Sequence, residues 1–230
     1  DTIHSVRFDE EQRILDLLNI FVARNDESLN QNGHYLAMNS AASPLNPLAT
    51  TSFHLSGLQM IHRSKELISK IQMDGDASYV INILKNIHSK VSNNPYKIFT
   101  ACSKDALDNQ LKELEVSPSR NEQQLINATQ PQIAWITGSQ VCYCAQAFMG
   151  VSREHPDSAA LSVLATVLRN GFLHTAIREK GGAYGAGASN DTATNTFKLF
   201  SYRDPKCKET FQAFEDAITW AKTSINEQHL

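Results

Sequence analysis

The residues best suited to chemistry lie in GFLHTAIREKGGAYGAGAS, which runs from Gly171 to Ser189. Arg178 and Tyr184 stand six residues apart across a break made by Gly181 and Gly182, and Gly185 and Gly187 follow the tyrosine. A guanidinium and a phenol both donate hydrogen bonds, so the pair suits an acceptor on a ligand. Local physics explains part of the pattern. Arg178 and Lys180 in a last helical turn suit the negative end of the helix dipole, a glycine supplies the left-handed cap, and Tyr184 reads as a strand aromatic. It does not explain Gly185, Ala186, Gly187 and Ala188, because glycine weakens a strand and marks a place of close approach. A ligand-facing site and a plain helix end are both compatible with these residues.

Other chemistries find less support. Helical HExxH or HxxEH spacing would place two histidines on one face for a metal, and neither occurs. His62 and Glu66 lie four apart on an expected helix and offer two ligands without a third, so no metal or other cofactor is expected in this chain. The remaining histidines, including His34 and His174, are scattered singly. No GxSxG elbow or Walker loop is present, and GGAYGAG is not GxGxxG, since it leaves a helix instead of opening one. Cys142 and Cys144, two apart in a strand-like run, face the same way, and with Cys102 and Cys207 they read as buried free thiols.

Composition frames these residues. The chain has 230 residues, 41% hydrophobic and 20% charged, with a formal charge of −3, an ordinary balance for a globular protein. There is no basic run interleaved with aromatics, so nucleic acid is not expected as a partner. No apolar run reads as the roughly 20 residues of a membrane span, so no membrane association is expected. Asp1 reads as a cut into a longer protein. The compartment is open, with a soluble cytoplasmic or organellar setting expected ahead of a secreted one.

The elements that must position the site follow from periodicity. Ile14, Leu17, Leu18, Phe21 and Val22 predict one amphipathic helix, and Val80, Ile83, Leu84, Ile87 and Val91 predict another. Between them, Pro44 and Pro47 suggest two helices meeting at a bend. YKIFTAC (96–102) reads as a short strand leading into the helix KDALDNQLKEL, and VSPSRNEQQLINATQPQ (116–132) reads as a connection. IAWITGSQVCYCAQAFMGV then predicts two strands joined near Gly138 and Ser139. HPDSAALSVLATVLRNGFLHTAIREK predicts a long helix with Pro156 in its first turn, ending near Gly181. Two further strands, AYGAGAS and TFKLFSY, lead through Asp204 and Pro205 into a last helix, with Arg203 bracing the turn. The expected fold is α+β, a largely antiparallel sheet with helices covering one face.

With these elements in place, LRNGFLHTAIREKGGAYGAGAS followed by FKLFSYRDP resembles the last domain of insulinase-type (pitrilysin, or inverzincin) zinc metallopeptidases. The spacing from Arg178 to Tyr184 is most similar to the presequence-protease branch, and NGHYLAMNSAASPLNPLA, SGLQMIHR and ITGSQVCYCAQAF extend the resemblance along nearly the whole chain. The resemblance implies four homologous α/β domains closing around a chamber, with zinc held by HxxEH in the first. It implies that Arg178 and Tyr184 hold the substrate backbone and help stabilise the tetrahedral intermediate, while Gly181, Gly182, Gly185 and Gly187 leave room for the peptide. No HxxEH exists here. The chain therefore resembles the helix-rich end of a third domain (1–115), a connection (116–132) and the first part of a fourth (133–230). The partners so implied are a peptide substrate and the N-terminal catalytic half of the same protein, with the zinc there and this chain alone inactive. A non-catalytic peptidase-like domain serving peptide binding or subunit assembly is the alternative.

Overall fold

A computed structural model describes residues 4–93 and 133–225. The expected strand at 96–102, the helix after it, Cys102 and the connection at 116–132 lie outside the described residues. The chain groups into two compact units. One takes the described residues of Asp1–Leu18 and Ile71–Gln124, and the other those of Asn19–Lys70 and Leu125–Leu230.

Both long amphipathic helices form where periodicity predicts them, as α1 (Glu11–Gln31) and α5 (Ser78–Ser92). In the first unit the Asp76 carboxylate accepts from Ser78 N at 2.8 Å at the start of α5, and the rings of Phe8 and His88 meet edge to face. Those hydrogen bonds to Ser78 hold the Asp76 carboxyl below its ordinary range.

Three helices, not two, fill the stretch between them: α2 (Gly33–Ala42), α3 (Pro47–Ser56) and α4 (Leu58–Asp74). The bend at the prolines is present, with Pro47 opening α3 behind the N-cap Asn46. Asn46 is buried, accepts from Ala49 N at 2.9 Å and donates to Thr194 O at 2.8 Å, so one side chain caps a helix and ties it to the sheet. The additional break is Gly57. A Cβ there would stand 2.6 Å from the Phe53 carbonyl oxygen, so the chain turns where no side chain fits.

The sheet is antiparallel in the order β1–β3–β2, from β1 (Ala145–Met149), β2 (Gly185–Asp191) and β3 (Thr196–Tyr202). Ala145 pairs with Phe200, and Gly185 with Tyr202. The expected hairpin at Gly138 and Ser139 does not form. Residues 133–141 form no strand among the described residues. There Ser139 Oγ closes a local turn, donating to Val141 O and accepting from Val141 N, and Trp135 Nε1 donates to Ser40 Oγ at 2.9 Å. Alternation alone cannot make a strand without a neighbour to pair with.

The long helix runs as α6 (Ser158–Leu168) and continues as a π-helix, Arg169–Glu179, in which Lys180 N reaches back five residues to Thr175 O at 3.1 Å. Pro156 lies just before the N-cap Asp157, not in the first turn. This 22-residue helix is long and apolar enough to cross a membrane by length and composition, contrary to the sequence reading, yet it supplies Ala165, Leu168, Leu173 and Ile177 to the core. Those residues pack with Leu199 of the central strand and with Phe214 and Ala217 of α7 (Lys208–Ser224). Full burial of each large side chain contributes about 1.5–3 kcal/mol.

The fold is α+β, with α6, the π-helix and α7 supplying the expected cover on one face. Side chains alternate along β1, so Ala147 points the other way, to Ala42, Leu45 and Ala49. That second layer, led by α2, adds cover on the opposite face. Gly33 at its start has no Cβ because the Tyr143 ring would lie 2.4 Å from it. The buried-thiol reading holds for Cys144 alone; Cys142 and Cys207 are exposed. Cys142 misses burial because its backbone pairs with Asp204 outside the sheet.

Candidate functional site

The π-helix is where the candidate site begins. Widening the turn to a five-residue repeat brings His174 beside Glu179, with Nδ1 3.3 Å from Oε1, while Nε2 lies 3.4 Å from Arg178 Nη1. Arginine can only donate, so Nε2 is the acceptor and the proton sits on Nδ1, facing the carboxylate; the tautomer is assigned from these partners. Glu179 thus orients His174, and His174 orients Arg178. π-Helical turns concentrate at functional sites.

Two glycines then close the helix. Gly182 N donates to Arg178 O at 3.0 Å and Ala183 N to Ile177 O at 3.1 Å. A Cβ on Gly181 would sit 2.3 Å from the Ile177 oxygen, and Gly182 has φ +85°, so both positions require glycine for backbone reasons. Beyond them Tyr184 emerges 66% exposed, with the Arg178 Cζ 5.9 Å from its ring centroid. The guanidinium and the phenol share one open surface, held by a cation–π contact.

Two residues that sequence reasoning did not place in the site complete this surface. Tyr184 N donates to Arg203 O at 3.3 Å, and the Tyr202 ring meets Tyr184 edge to face at 5.5 Å. The exposed Arg203 guanidinium lies over Tyr202 at 5.5 Å, and the backbone of Arg203 is left-handed at φ +48°. Positive φ at arginine is strained and persists only where surroundings enforce it. Neighbouring Asp204 does the enforcing. Buried to 1% exposure, its carboxylate accepts from Lys206 N at 2.9 Å and from Thr210 Oγ1 at 2.6 Å, although the N-cap position of α7 is Cys207. Asp204 is therefore structural, as the sequence suggested.

The remaining glycines divide. A Cβ on Gly187 would press 3.0 Å against the Phe200 ring, so packing accounts for this residue. At Gly185 a Cβ would meet nothing within 4 Å, which leaves a notch directly opposite Tyr202. β2 pairs only with β3 among the described residues, so the strand leaving Tyr184 is an edge. Neither Arg178 nor Arg203 has a carboxylate in ion-pair range among the described residues. The face offers two cations, a phenol and a free strand edge.

Elsewhere the groups are already engaged. His62 Nε2 lies 3.2 Å from Glu66 Oε1, and among the described residues no three His, Cys, Asp or Glu side chains are grouped to hold a metal ion, so this chain's residues do not fit a zinc site. A cleft of about 730 Å³ at the far end of β2 is lined by Tyr35, Asn39, Ser52, Ser189, Asp191 and Lys198 among others. Its charges neutralise each other, with Lys198 Nζ 2.6 Å from Asp191 Oδ2. Burial pushes the Asp191 carboxyl up, but hydrogen bonds from Lys198 and Thr194 outweigh it and hold the carboxyl below its ordinary range.

Comparison with known proteins bears on this geometry. Residues 78–230 match the family described as Peptidase M16 inactive domain, and residues 1–67 match the associated domain of the C subfamily of the same peptidases. The chain belongs to the M16, insulinase-type peptidase family. Among its relatives, the mitochondrial presequence protease of Drosophila melanogaster is 31% identical over 98% of this chain and 22% of that protein. That of Kluyveromyces lactis is 28% identical over 96% of the chain and 25% of the protein. The mouse protein is 48% identical over a shorter stretch, 36% of the chain and 8% of that protein. The chain spans about a quarter of the length of the curated relatives it matches.

Proposed function

We propose that this chain is the non-zinc, C-terminal-half part of a peptide-degrading zinc metallopeptidase, to which it contributes Arg178 and Tyr184. The observation that carries the reading is the exposed pairing of Arg178 with Tyr184, beside an open notch at Gly185 and the free edge of β2. In this proposal the zinc belongs to the N-terminal half of the complete protein, where it would polarise the scissile carbonyl and activate water.

The chain's own residues bind and orient. An extended peptide lies along β2, its backbone facing the unpaired edge, and the missing side chain at Gly185 lets it approach. Arg178 and Tyr184 donate to carbonyl oxygen, and their donors matter most when negative charge develops on that oxygen. His174 keeps Arg178 aimed, and Tyr202 keeps the Tyr184 ring from turning away. Gly181, Gly182 and Gly187 serve through the backbone and the packing they permit. The names of the relatives support an organellar, mitochondrial setting and presequence peptides as substrates.

The test is a peptide bearing a photoreactive group, bound to the complete protein with its chemistry silenced. Adducts at residues 184–187 and 202–203 are expected. Adducts confined to the cleft lined by Asp191 and Lys198, with none near Tyr184, would refute the assignment of the face.

A further inference from the structure

Three cysteines meet where β1 begins. Cys142 and Asp204 exchange both backbone hydrogen bonds, at 2.8 and 2.9 Å, and Ser201 N donates to Cys144 O at 2.9 Å while Cys144 N donates to Ser201 Oγ at 3.2 Å. The backbone of Cys144 is thereby fixed. Cys207 is fixed from the other side, as the N-cap residue of α7, three residues beyond the buried Asp204 carboxylate that holds Lys206 N and Thr210 Oγ1. Between these two anchored positions the sulfurs of Cys144 and Cys207 stand 3.5 Å apart. Cys144 is buried and Cys207 is exposed, so one thiol meets solvent and its neighbour waits behind it.

That division is the arrangement of a sensing thiol with a resolving partner. We propose that Cys144 and Cys207 are a peroxide-reactive pair that closes to an intramolecular disulfide. The oxidant is a hydroperoxide. The Cys207 sulfur, as thiolate, attacks the outer peroxide oxygen, the O–O bond breaks, and the leaving oxygen takes up a proton, giving the Cys207 sulfenic acid. The Cys144 sulfur then attacks the Cys207 sulfur, the S–O bond breaks, and the hydroxyl leaves as water with the proton from Cys144. Two thiols and one molecule of hydrogen peroxide become one disulfide and two waters.

The environments suit this order. Burial first, and contact with Cys207 second, push the Cys144 thiol far above its ordinary range, so it does not react with peroxide itself. Resolution does not need a free Cys144 thiolate, because its proton departs with the sulfenic hydroxyl. Cys142 is the competitor: it is exposed, and its thiol is pushed up chiefly by hydrogen-bond contact with Cys207. The disulfide would clamp the start of β1 to the N-terminal end of α7 across the turn that carries Tyr202 and Arg203, the frame beneath Tyr184.

The experiment treats the reduced full chain with about one equivalent of hydrogen peroxide, then maps peptides by mass spectrometry without reduction. A Cys144–Cys207 link is expected, with a loss of about 2 Da that dithiothreitol reverses. Cys207→Ser abolishes the link and Cys142→Ser preserves it. Because Cys207 is exposed, its serine variant keeps the wild-type circular dichroism and melting temperature, which separates lost chemistry from lost fold. A link from Cys207 to Cys142 or Cys102, or oxidation of Cys207 to sulfinic acid while Cys144 still titrates as a free thiol, overturns the proposal. So does a folded chain in which none of these thiols reacts.

Discussion

Replacing Gly181 with alanine should destabilise the chain sharply, whereas the same change at Gly185 should not. The added Cβ at Gly181 meets the Ile177 oxygen at 2.3 Å and its carbonyl carbon at 3.0 Å, and both are backbone atoms that cannot rotate away. Relief requires the π-helix end to open, which weakens the bonds Gly182 N→Arg178 O and Ala183 N→Ile177 O. Each of these contributes about 0.5–1.5 kcal/mol, and overpacking costs about 1–3 kcal/mol more, so a loss of about 2–5 kcal/mol is expected. For a domain of this size that lowers the melting temperature by roughly 5–15 °C. Alanine at Gly185 meets nothing within 4 Å, and its stability change should stay within about 0.5 kcal/mol or be slightly favourable. Thermal unfolding followed by circular dichroism reads both variants, and peptide turnover by the complete protein reads Gly185→Ala, which should raise KM by filling the notch. A Gly181→Ala chain melting within a degree of wild type would refute the backbone account of this glycine. A Gly185→Ala enzyme with unchanged KM would refute the notch.

Asp191→Ala leaves the buried Lys198 ammonium without its partner and should cost about 3 kcal/mol, with Asp191→Ala/Lys198→Met recovering part of the loss in urea unfolding. Asp204→Ala frees the Thr210 hydroxyl and Lys206 N together and should cost about 2–4 kcal/mol by the same assay. His34, packed against Tyr35, Phe200 and Tyr202, has its pKa lowered by burial. Above the ordinary value of about 6.5 it is neutral in both states; as pH falls below that value the unfolded chain takes up a proton that the folded chain does not, and stability is lost down to the folded pKa. The melting-temperature difference between wild type and His34→Phe should therefore shift against wild type in that window, and a difference independent of pH from about 7.5 to about 5.5 would contradict it.

The parts of the fold legible in the sequence were those set by local rules. The periodicities of α1, α5 and α6 and the Pro47 break follow from spacing along one segment, and so does the helix stop at Gly181 and Gly182. The hairpin at Gly138 failed because a strand needs a partner, and Ile133 and Trp135 alternate beside none among the described residues. The π-helix was illegible because Leu173 and Ile177 keep an α-like spacing while the backbone bonds widen around them. Arg178 and Tyr184 could be picked out because an unexplained run of small residues follows the tyrosine. Tyr202 and Arg203 join them from another strand, and the positive φ of Arg203 comes from the buried hydrogen bonds of Asp204. His174 carried a usable signal, four residues before Arg178 on the same helix, but a single histidine has too many ordinary roles to stand out.

The central claim is that Tyr184 and Arg178 act on charge that develops during peptide cleavage. The direct measurement is kcat and KM of the complete, zinc-loaded protein carrying Tyr184→Phe or Arg178→Ala, normalised to titrated active sites. Both side chains are exposed, so neither change removes core packing, and both variants should melt with wild type. Loss of a preorganised donor lowers kcat on the order of 10²-fold or more, with a much smaller change in KM. Unchanged kcat in both variants would contradict the account and leave Arg178 as a cation at a helix end and Tyr184 as a surface aromatic.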